Sequence, residues 1–503
     1  MMRAIISEKN FFILIVIIAA VVYSITAFNS HGFYHADEQY QIIEFAGLKL
    51  GTHSPDELAW EFNKLIRPSL QPFIGFVVLK ACDIFNLNNP YNQAFVLRLF
   101  SGIFAIVVIS IFVRSTASLI KNKSVKTAYY LLSYFLWFIP VISVRFSSET
   151  WSGLMFLLSL ALFLNNSNHK LKPFLIGFTL GLSFLFRFQI AFAIIGFVLW
   201  LIVINHSKHK YLLKIFASIF AVSLFGVLLD SWYYGEFVST PWNYLLSVIA
   251  SGGDGFGTSP WHFYIFKFLS YPSYFMGIPL LLSIVLTVIF KPDSLLLWCI
   301  IPFVLIHSFV PHKEERFLFP VVYLFPLLLI EAYTIVNRLI TKRGWIMPLN
   351  IVLIVTFILL NSVGLIAMGQ KSAGIGRMEI TKYIHDNYGD QNINLVFCSW
   401  ANPYNPWHSL PVKFYLEDSL TEHRVNNLCE VNDSLFIKYA VNLLVIKKID
   451  KEKIECSRII DSDNFIFETQ SVPEWIEKIN AIYKGFDNYE ILELYRYANS
   501  ELE

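Results

Sequence analysis

The chain has 503 residues, of which 55% are hydrophobic and only 15% charged, against about 25% charged in soluble domains. Its 39 basic and 37 acidic side chains nearly cancel to a net +2, so the clustered basic face of a nucleic-acid binder is not expected. Too little polar surface remains to coat a soluble protein of this length, and the class read from composition is a multispanning helical membrane protein.

From the N-terminus, Arg3 and Lys9 precede the apolar run Phe11–Phe28, with no small-residue cleavage site after it. This reads as a retained first span rather than a signal peptide. Further apolar runs follow at Ala94–Val113, Thr127–Ser143, Trp151–Leu164, Pro173–Phe186, Phe188–Ile204, Tyr211–Leu229, Phe268–Phe290, Ser294–Val310, Phe317–Val336 and Trp345–Ala367. The run Pro72–Phe85 is ambiguous. If it spans, the basic loop Arg114–Lys126 falls outside; if it lies in the interface, every basic loop falls inside, including Lys208–Lys214 and Arg338–Arg343. It is therefore expected to be an amphipathic surface helix, which leaves about eleven spans. The tract Lys172–Ile204 is short for two spans and holds Arg187 in its middle, so a broken hairpin is one reading there.

From Gly369 the chain turns polar, with strand-like Asn394–Phe397 and Asn442–Ile446 and helix-like Arg377–Asn387 and Pro473–Tyr483. The expected organisation is a transmembrane catalytic domain over 1–368, whose first outer loop covers 29–93, and a small non-cytoplasmic α/β domain over 369–503. The five cysteines show no CxxC pair and no metal spacing; Cys398, Cys429 or Cys456 could pair in that outer domain, and no pair is specified.

The same orientation gathers polar groups on one membrane face. The first outer loop carries His35, Asp37, Glu38, Gln41, Glu44, Trp60, Glu61 and Arg67. A second outer segment carries Asp230, Tyr234, Asn243, Trp261 and His262, and a short turn carries His312, Lys313 and Arg316, with Arg187 at the outer mouth. Ionisable groups at a bilayer are functional candidates. Each also has a plain structural reading: Asp37 and Glu38 as first-turn helix acids, Arg187 as a snorkelling side chain, the 312–316 turn as a solvated loop of self-cancelling charge. Many spans with embedded charge also fit a transporter or a flippase of a lipid-linked sugar, although no internal repeat is evident.

These residues form ordered motifs. His35-x-Asp37-Glu38 with Gln41 and Glu44, then Trp60-Glu61-Phe62 and Arg67-Pro68-Ser69, precede Asp230 to Asn243, Ser259-Pro260-Trp261-His262 and His312-Lys313-Glu314-Glu315-Arg316-Phe317. In this the chain resembles glycosyltransferase family 22, the multispanning α-mannosyltransferases of the GT-C architecture that use dolichyl-phosphate mannose, and within it the type that adds the third mannose of GPI anchors. Ala59, Pro68 and Ser259 depart from the family's usual pattern, and the C-terminal part resembles it only through Cys398 to Tyr404. The resemblance implies inverting transfer from a polyprenyl- or dolichyl-phosphate sugar to a lipid-linked glycan or glycolipid, among membrane lipids, with no cofactor, metal or nucleic acid. It implies Asp37 as general base, with Glu38 assisting or anchoring the loop. His312, Lys313, Arg316 and Arg187 would face the donor phosphate. His35, Gln41, Glu44, Trp60, Glu61, Arg67, Asp230, Tyr234, Asn243, Trp261 and His262 would contact substrate. The compact chain suggests a bacterial cytoplasmic membrane rather than the endoplasmic reticulum.

Overall fold

The computed structural model describes residues 7–166, 169–251, 257–270, 273–339, 346–374, 376–405, 410–436, 439–451, 460, 464–483 and 490–498. Arg343, Trp345 and Cys456 lie outside them. The chain divides into two compact units: residues 1–27, 60–74 and 98–369 form one, and residues 28–59, 75–97 and 370–503 form the other.

The chain is a polytopic helical membrane protein. Helices Glu8–Asn29, Pro90–Leu119, His209–Tyr234, Glu315–Leu339 and Ile351–Gln370 are long and apolar enough to cross a bilayer. Tyr274–Phe290 and Leu295–Phe309 qualify together but meet at 118°. Ser148–Leu164, Lys172–Phe186 and Phe188–Val203 are apolar but shorter. The described residues thus hold five, or up to six, helices of spanning length, fewer than the apolar runs of the sequence. Hydropathy sums composition and does not register backbone breaks. The run Thr127–Ser143 is one such case: its helix stops at Phe135, Leu136 turns out at φ −57 and ψ 123, and a second short helix starts at Phe138. The run Pro72–Phe85 lies in a 15-residue helix, Leu70–Ile84.

The first unit packs through small residues. Gly177 and Gly181 of Lys172–Phe186 let it approach Ile215 and Val222 of His209–Tyr234, and Gly226 accepts Leu185 in return. A Cβ at Gly177 would sit 2.3 Å from the Ile215 carbonyl oxygen, so the small side chain is what permits this backbone approach. Gly153 of Ser148–Leu164 admits the backbone of Pro320 in the same way. At the suspected break Arg187 is extended, at φ −156 and ψ 113, between Lys172–Phe186 and the short turn Phe188–Ile190, after which Ala191–Val203 is helical.

The second unit is built on a five-stranded sheet. Strands β1 (Ile393–Cys398), β2 (Leu420–Val425), β3 (Val441–Lys447), β4 (Phe465–Gln470) and β5 (Leu492–Tyr497) lie in the order β2-β1-β3-β5-β4. β1 runs parallel to β2 and β3, and β5 antiparallel to β3 and β4. Alternation along the strands makes two cores. Ile393, Leu395, Leu443 and Leu494 join Ile380 and Ile384 of helix Arg377–Tyr388 on one face. Val396, Cys398, Leu444 and Tyr495 join Phe436 on the other. Burial on both faces explains why β1 and β3 are apolar apart from Asn394, Asn442 and the terminal Lys447, the two asparagines bonding each other at 2.9 Å. Cys82, Cys299 and Cys398 are free thiols, whereas Cys429 is disulfide-bonded.

Candidate active site

The second unit carries the acidic loop. His35 caps a short helix, its Nδ1 accepting from the Asp37 backbone N–H at 3.3 Å. After Glu38 the chain widens into a π-helical turn over Gln39–Ile43 before α-helix resumes at Glu44, a local irregularity frequent at functional sites. The acids around this turn differ in burial. Glu38 is buried, and its Oε2 accepts from the Tyr34 N–H at 3.3 Å. Glu44 is 2% exposed; it accepts from Gln39 Nε2 at 2.7 Å and from the Phe414 N–H at 3.3 Å, and bonds His53. Gln41 is buried. The Asp37 side chain keeps 20% of its surface exposed.

The polar C-terminal segments hold this loop in place. The Ala373 N–H donates to the His31 carbonyl at 2.8 Å, and Glu379 bonds both His31 Nδ1 at 2.9 Å and Ser372 Oγ at 2.7 Å. Gly374, at φ +59, approaches the Phe33 carbonyl where a Cβ would fall at 2.9 Å. Further along, Tyr40 Oη donates to the Leu410 carbonyl at 2.7 Å. Burial opposes ionisation of Glu379, but the His31 and Ser372 hydrogen bonds outweigh it and hold the carboxyl below its usual range.

The first unit contains two further constellations. In one, three alternate residues of the 65–69 loop are pinned. Asn243 Nδ2 donates to the Leu65 carbonyl at 3.2 Å and Tyr234 Oη to the Arg67 carbonyl at 2.8 Å. Asp230 Oδ1 accepts from Ser69 N–H at 2.8 Å and Ser69 Oγ at 2.6 Å, while its Oδ2 accepts from Thr240. Asp230 and Tyr234 are one helical turn apart at the end of His209–Tyr234, and Gly235 then reverses the chain at φ +80. Arg67 Nη2 reaches buried Glu61 at 3.3 Å. The predicted residues Asp230, Tyr234 and Asn243 therefore hydrogen-bond the 65–69 loop.

The other constellation is cationic. Glu149, in the first turn of Ser148–Leu164, places one oxygen between two guanidiniums: Oε1 accepts from Arg187 Nη1 at 2.8 Å and from Arg316 Nη1 at 2.7 Å. All three are at least 94% buried, with exposures of 2%, 5% and 6%. Arg316 Nε also donates to Glu314, whose other oxygen bonds His312 Nε2 at 2.8 Å. The guanidinium carbons of Arg187 and Arg316 lie 5.0 and 5.3 Å from the centroid of the Phe317 ring. Lys313 Nζ donates to the Ser259 carbonyl at 2.7 Å, and burial lowers its pKa. Arg187 and Arg316 are thus paired with Glu149, and Arg316 also with Glu314.

The structure brings Arg187 and Arg316 together on Glu149 and links His312 to Arg316 through Glu314, with Lys313 in the same turn. In the sequence Glu149 closes the Arg145–Glu149 stretch at the outer mouth but carries no assigned role. Trp261 and Trp60 are largely exposed, and the His262 ring packs edge-on against Trp261 and Phe266. Among the described residues no three His, Cys, Asp or Glu side chains come together as a metal-holding group.

Comparison with known proteins follows the same lines. A family model described as "Alg9-like mannosyltransferase family" matches residues 12–417. Mannosyltransferase APTG1 of Arabidopsis thaliana is 24% identical over 297 residues, 58% of this chain and 53% of that protein. Alpha-1,2-mannosyltransferase ALG9 of Mus musculus is 36% identical over 140 residues, 23% of this chain and 21% of that protein. GPI mannosyltransferase 3 of Yarrowia lipolytica is 26% identical over 318 residues, 61% of this chain and 60% of that protein. The chain spans about half the length of the first of these curated relatives. Among solved structures, ArnT from Cupriavidus metallidurans, bound to undecaprenyl phosphate, superposes with a TM-score of 0.53 at 12% identity, over 98% of this chain and 99% of that one. At that identity the likeness concerns the fold alone.

Proposed function

The chain belongs to the Alg9-like mannosyltransferase family, and from that premise we propose that it is an inverting mannosyltransferase. It moves mannose from a polyprenyl- or dolichyl-phosphate carrier to a lipid-linked glycan or glycolipid on the non-cytoplasmic membrane face. The observation that carries this reading is the pair of buried guanidiniums of Arg187 and Arg316 sharing Glu149, with Lys313 in the same turn as Arg316.

Single displacement at a β-linked sugar phosphate yields an α-mannoside. As the bond breaks, charge grows on the departing phosphate, and preorganised cations stabilise that charge more than they stabilise the ground state. Arg187 and Arg316 supply planar forks and Lys313 a point charge. Glu149 keeps two like charges together in the absence of the phosphate. The acceptor hydroxyl must lose its proton as it attacks, and Asp37 is the base. Glu38 and Glu44 serve the loop that carries it, since their oxygens bond Tyr34, Gln39 and Phe414. Asp230, Tyr234 and Asn243 hold the 65–69 loop, and Trp60, Trp261, His262, His35 and Gln41 contact substrate in this reading. The undecaprenyl phosphate in the structurally similar ArnT supports a polyprenyl carrier by analogy of fold.

The orientation expected from the basic loops, with about eleven spans, puts the polar C-terminal residues outside the cytoplasm. The disulfide at Cys429 supports this, because disulfides persist in oxidising compartments. A bacterial cytoplasmic membrane is the favoured location. The deciding experiment offers purified protein radiolabelled polyprenyl-phosphate mannose and a lipid extract as acceptor. The expected product is a labelled glycolipid sensitive to α-mannosidase. Transfer from a nucleotide sugar with no lipid-phosphate donor, or a β-linked product, would sink the proposal.

A further inference from the structure

His307 lies in the last turn of the Leu295–Phe309 helix and is 3% exposed. Its Nδ1 is 2.7 Å from the Phe303 carbonyl oxygen. A carbonyl only accepts, so Nδ1 carries the proton, and in the neutral ring Nε2 presents a lone pair. That Nε2 is buried and has no hydrogen-bond partner among the described residues. The ring is walled by Phe192, Phe303 and Phe317, with centroids at 5.9, 4.3 and 6.2 Å.

Phe317 is also the ring beside the Arg187 guanidinium, 5.0 Å away. Arg187 spends Nη1 on Glu149 and Ser148, while its Nε–H is likewise buried and has no partner among the described residues. One half-buried aromatic ring therefore adjoins an orphan acceptor and an orphan donor. Buried polar groups are nearly always satisfied, so the pair calls for a ligand group of matching chemistry. An ionised phosphate can serve Nε–H but has no proton to give Nε2. A sugar hydroxyl can donate to Nε2, and a sugar or phosphate oxygen can accept from Nε–H.

We propose that Phe317, His307 and Arg187 form a sugar subsite in which His307 Nε2 accepts a hydrogen bond from a ring hydroxyl of the transferred hexose. The subsite rests on the lipid-phosphate-sugar reading given above and adds to it a means of choosing the sugar. A site built to bond one hydroxyl rejects an analogue that lacks it. The half-buried face of Phe317 takes the C–H face of the pyranose, and Arg187 links the sugar to the phosphate site.

The test is His307→Phe, measured with polyprenyl-phosphate mannose and its series of single-deoxy donors. Phe fills the aromatic space and removes the orphan acceptor, so thermal stability in detergent should hold or rise. At the same time kcat/KM for the intact donor should fall about tenfold or more, as for loss of a buried hydrogen bond. One deoxy donor should suffer the same loss in wild type and no further loss in the variant, and His307→Asn, which keeps an acceptor, should restore part of that discrimination. Equal losses for every deoxy donor, or a joint fall of stability and activity, would assign the histidine to packing or to a structural water and overturn the subsite. A wild type inactive on every polyprenyl-phosphate hexose would remove the donor reading and the subsite with it. An active wild type with no hydroxyl-specific coupling to His307 would remove the subsite alone.

Discussion

Replacing Glu149 by Gln changes one atom type in the buried cluster and leaves its shape. The amide oxygen still accepts from Arg187 and Arg316, whose Nη1 atoms lie 2.8 and 2.7 Å from Oε1 in the native protein. The negative charge is gone, so two guanidiniums, each at least 94% buried, confront each other without the counter-ion between them. A unit-charge interaction at about 4 Å amounts to about 4 kcal/mol at an effective dielectric of about 20. Breaking a buried ion pair by removing one partner costs about 3–5 kcal/mol. The variant should therefore unfold several degrees below wild type in detergent. If the cluster exists to receive phosphate, added polyprenyl phosphate supplies the missing anion. Saturating ligand stabilises by RT ln(1 + [L]/Kd), about 2.7 kcal/mol at a hundredfold excess over Kd, and the gain should be larger in Glu149→Gln than in wild type. Thermal unfolding with and without polyprenyl phosphate, alongside transfer kinetics, makes the comparison. A variant that melts with wild type, or equal protection of both proteins by the lipid, would refute the reasoning.

Asp37→Asn should leave the protein folded and lower turnover by about 10²–10⁴, the usual effect of losing a general base; turnover within threefold of wild type would end that assignment. Asp230→Ala removes an acceptor of two hydrogen bonds from Ser69 and one from Thr240. It should cost about 3 kcal/mol in stability and expose the 65–69 loop to protease, and an unchanged cleavage pattern would count against the pinning role. Lys371, 5% exposed, donates to the Ser372 carbonyl at 3.2 Å, and burial lowers its pKa from 10.5 to about 8. Between those two values the unfolded chain binds more protons at this site than the folded one, so its contribution to stability grows as pH rises from about 8 to 10.5. Lys371→Met should flatten that part of the stability profile, and an identical slope in variant and wild type would contradict the shift.

The membrane class and the order of the polar motifs can be read without coordinates. Scarce charge and long apolar runs require a membrane, and the strands β1 and β3 announce themselves because both faces of the sheet are covered there. The ordered acids, histidines and arginines of the 35–44 and 312–316 segments were legible because each motif is local in the chain. Which groups these residues hydrogen-bond emerges only from the fold. Glu149 and Arg316 are 167 residues apart, and Asp230 and Ser69 161 apart. No periodicity or spacing encodes a pairing at that range. The sequence offered Asp230, Tyr234 and Asn243 as substrate contacts, and the fold shows the hydrogen bonds by which they also hold Leu65, Arg67 and Ser69. It named Asp37 as base and left open whether Glu38 assists or anchors the loop; the fold buries Glu38 and leaves the Asp37 side chain partly open. The number of helices long enough to span was likewise beyond it, because a run such as Thr127–Ser143 keeps its hydropathy across the break at Leu136. Hydrophobicity records how much surface must leave water, and only the folded backbone sets where a helix ends and which buried charge meets which.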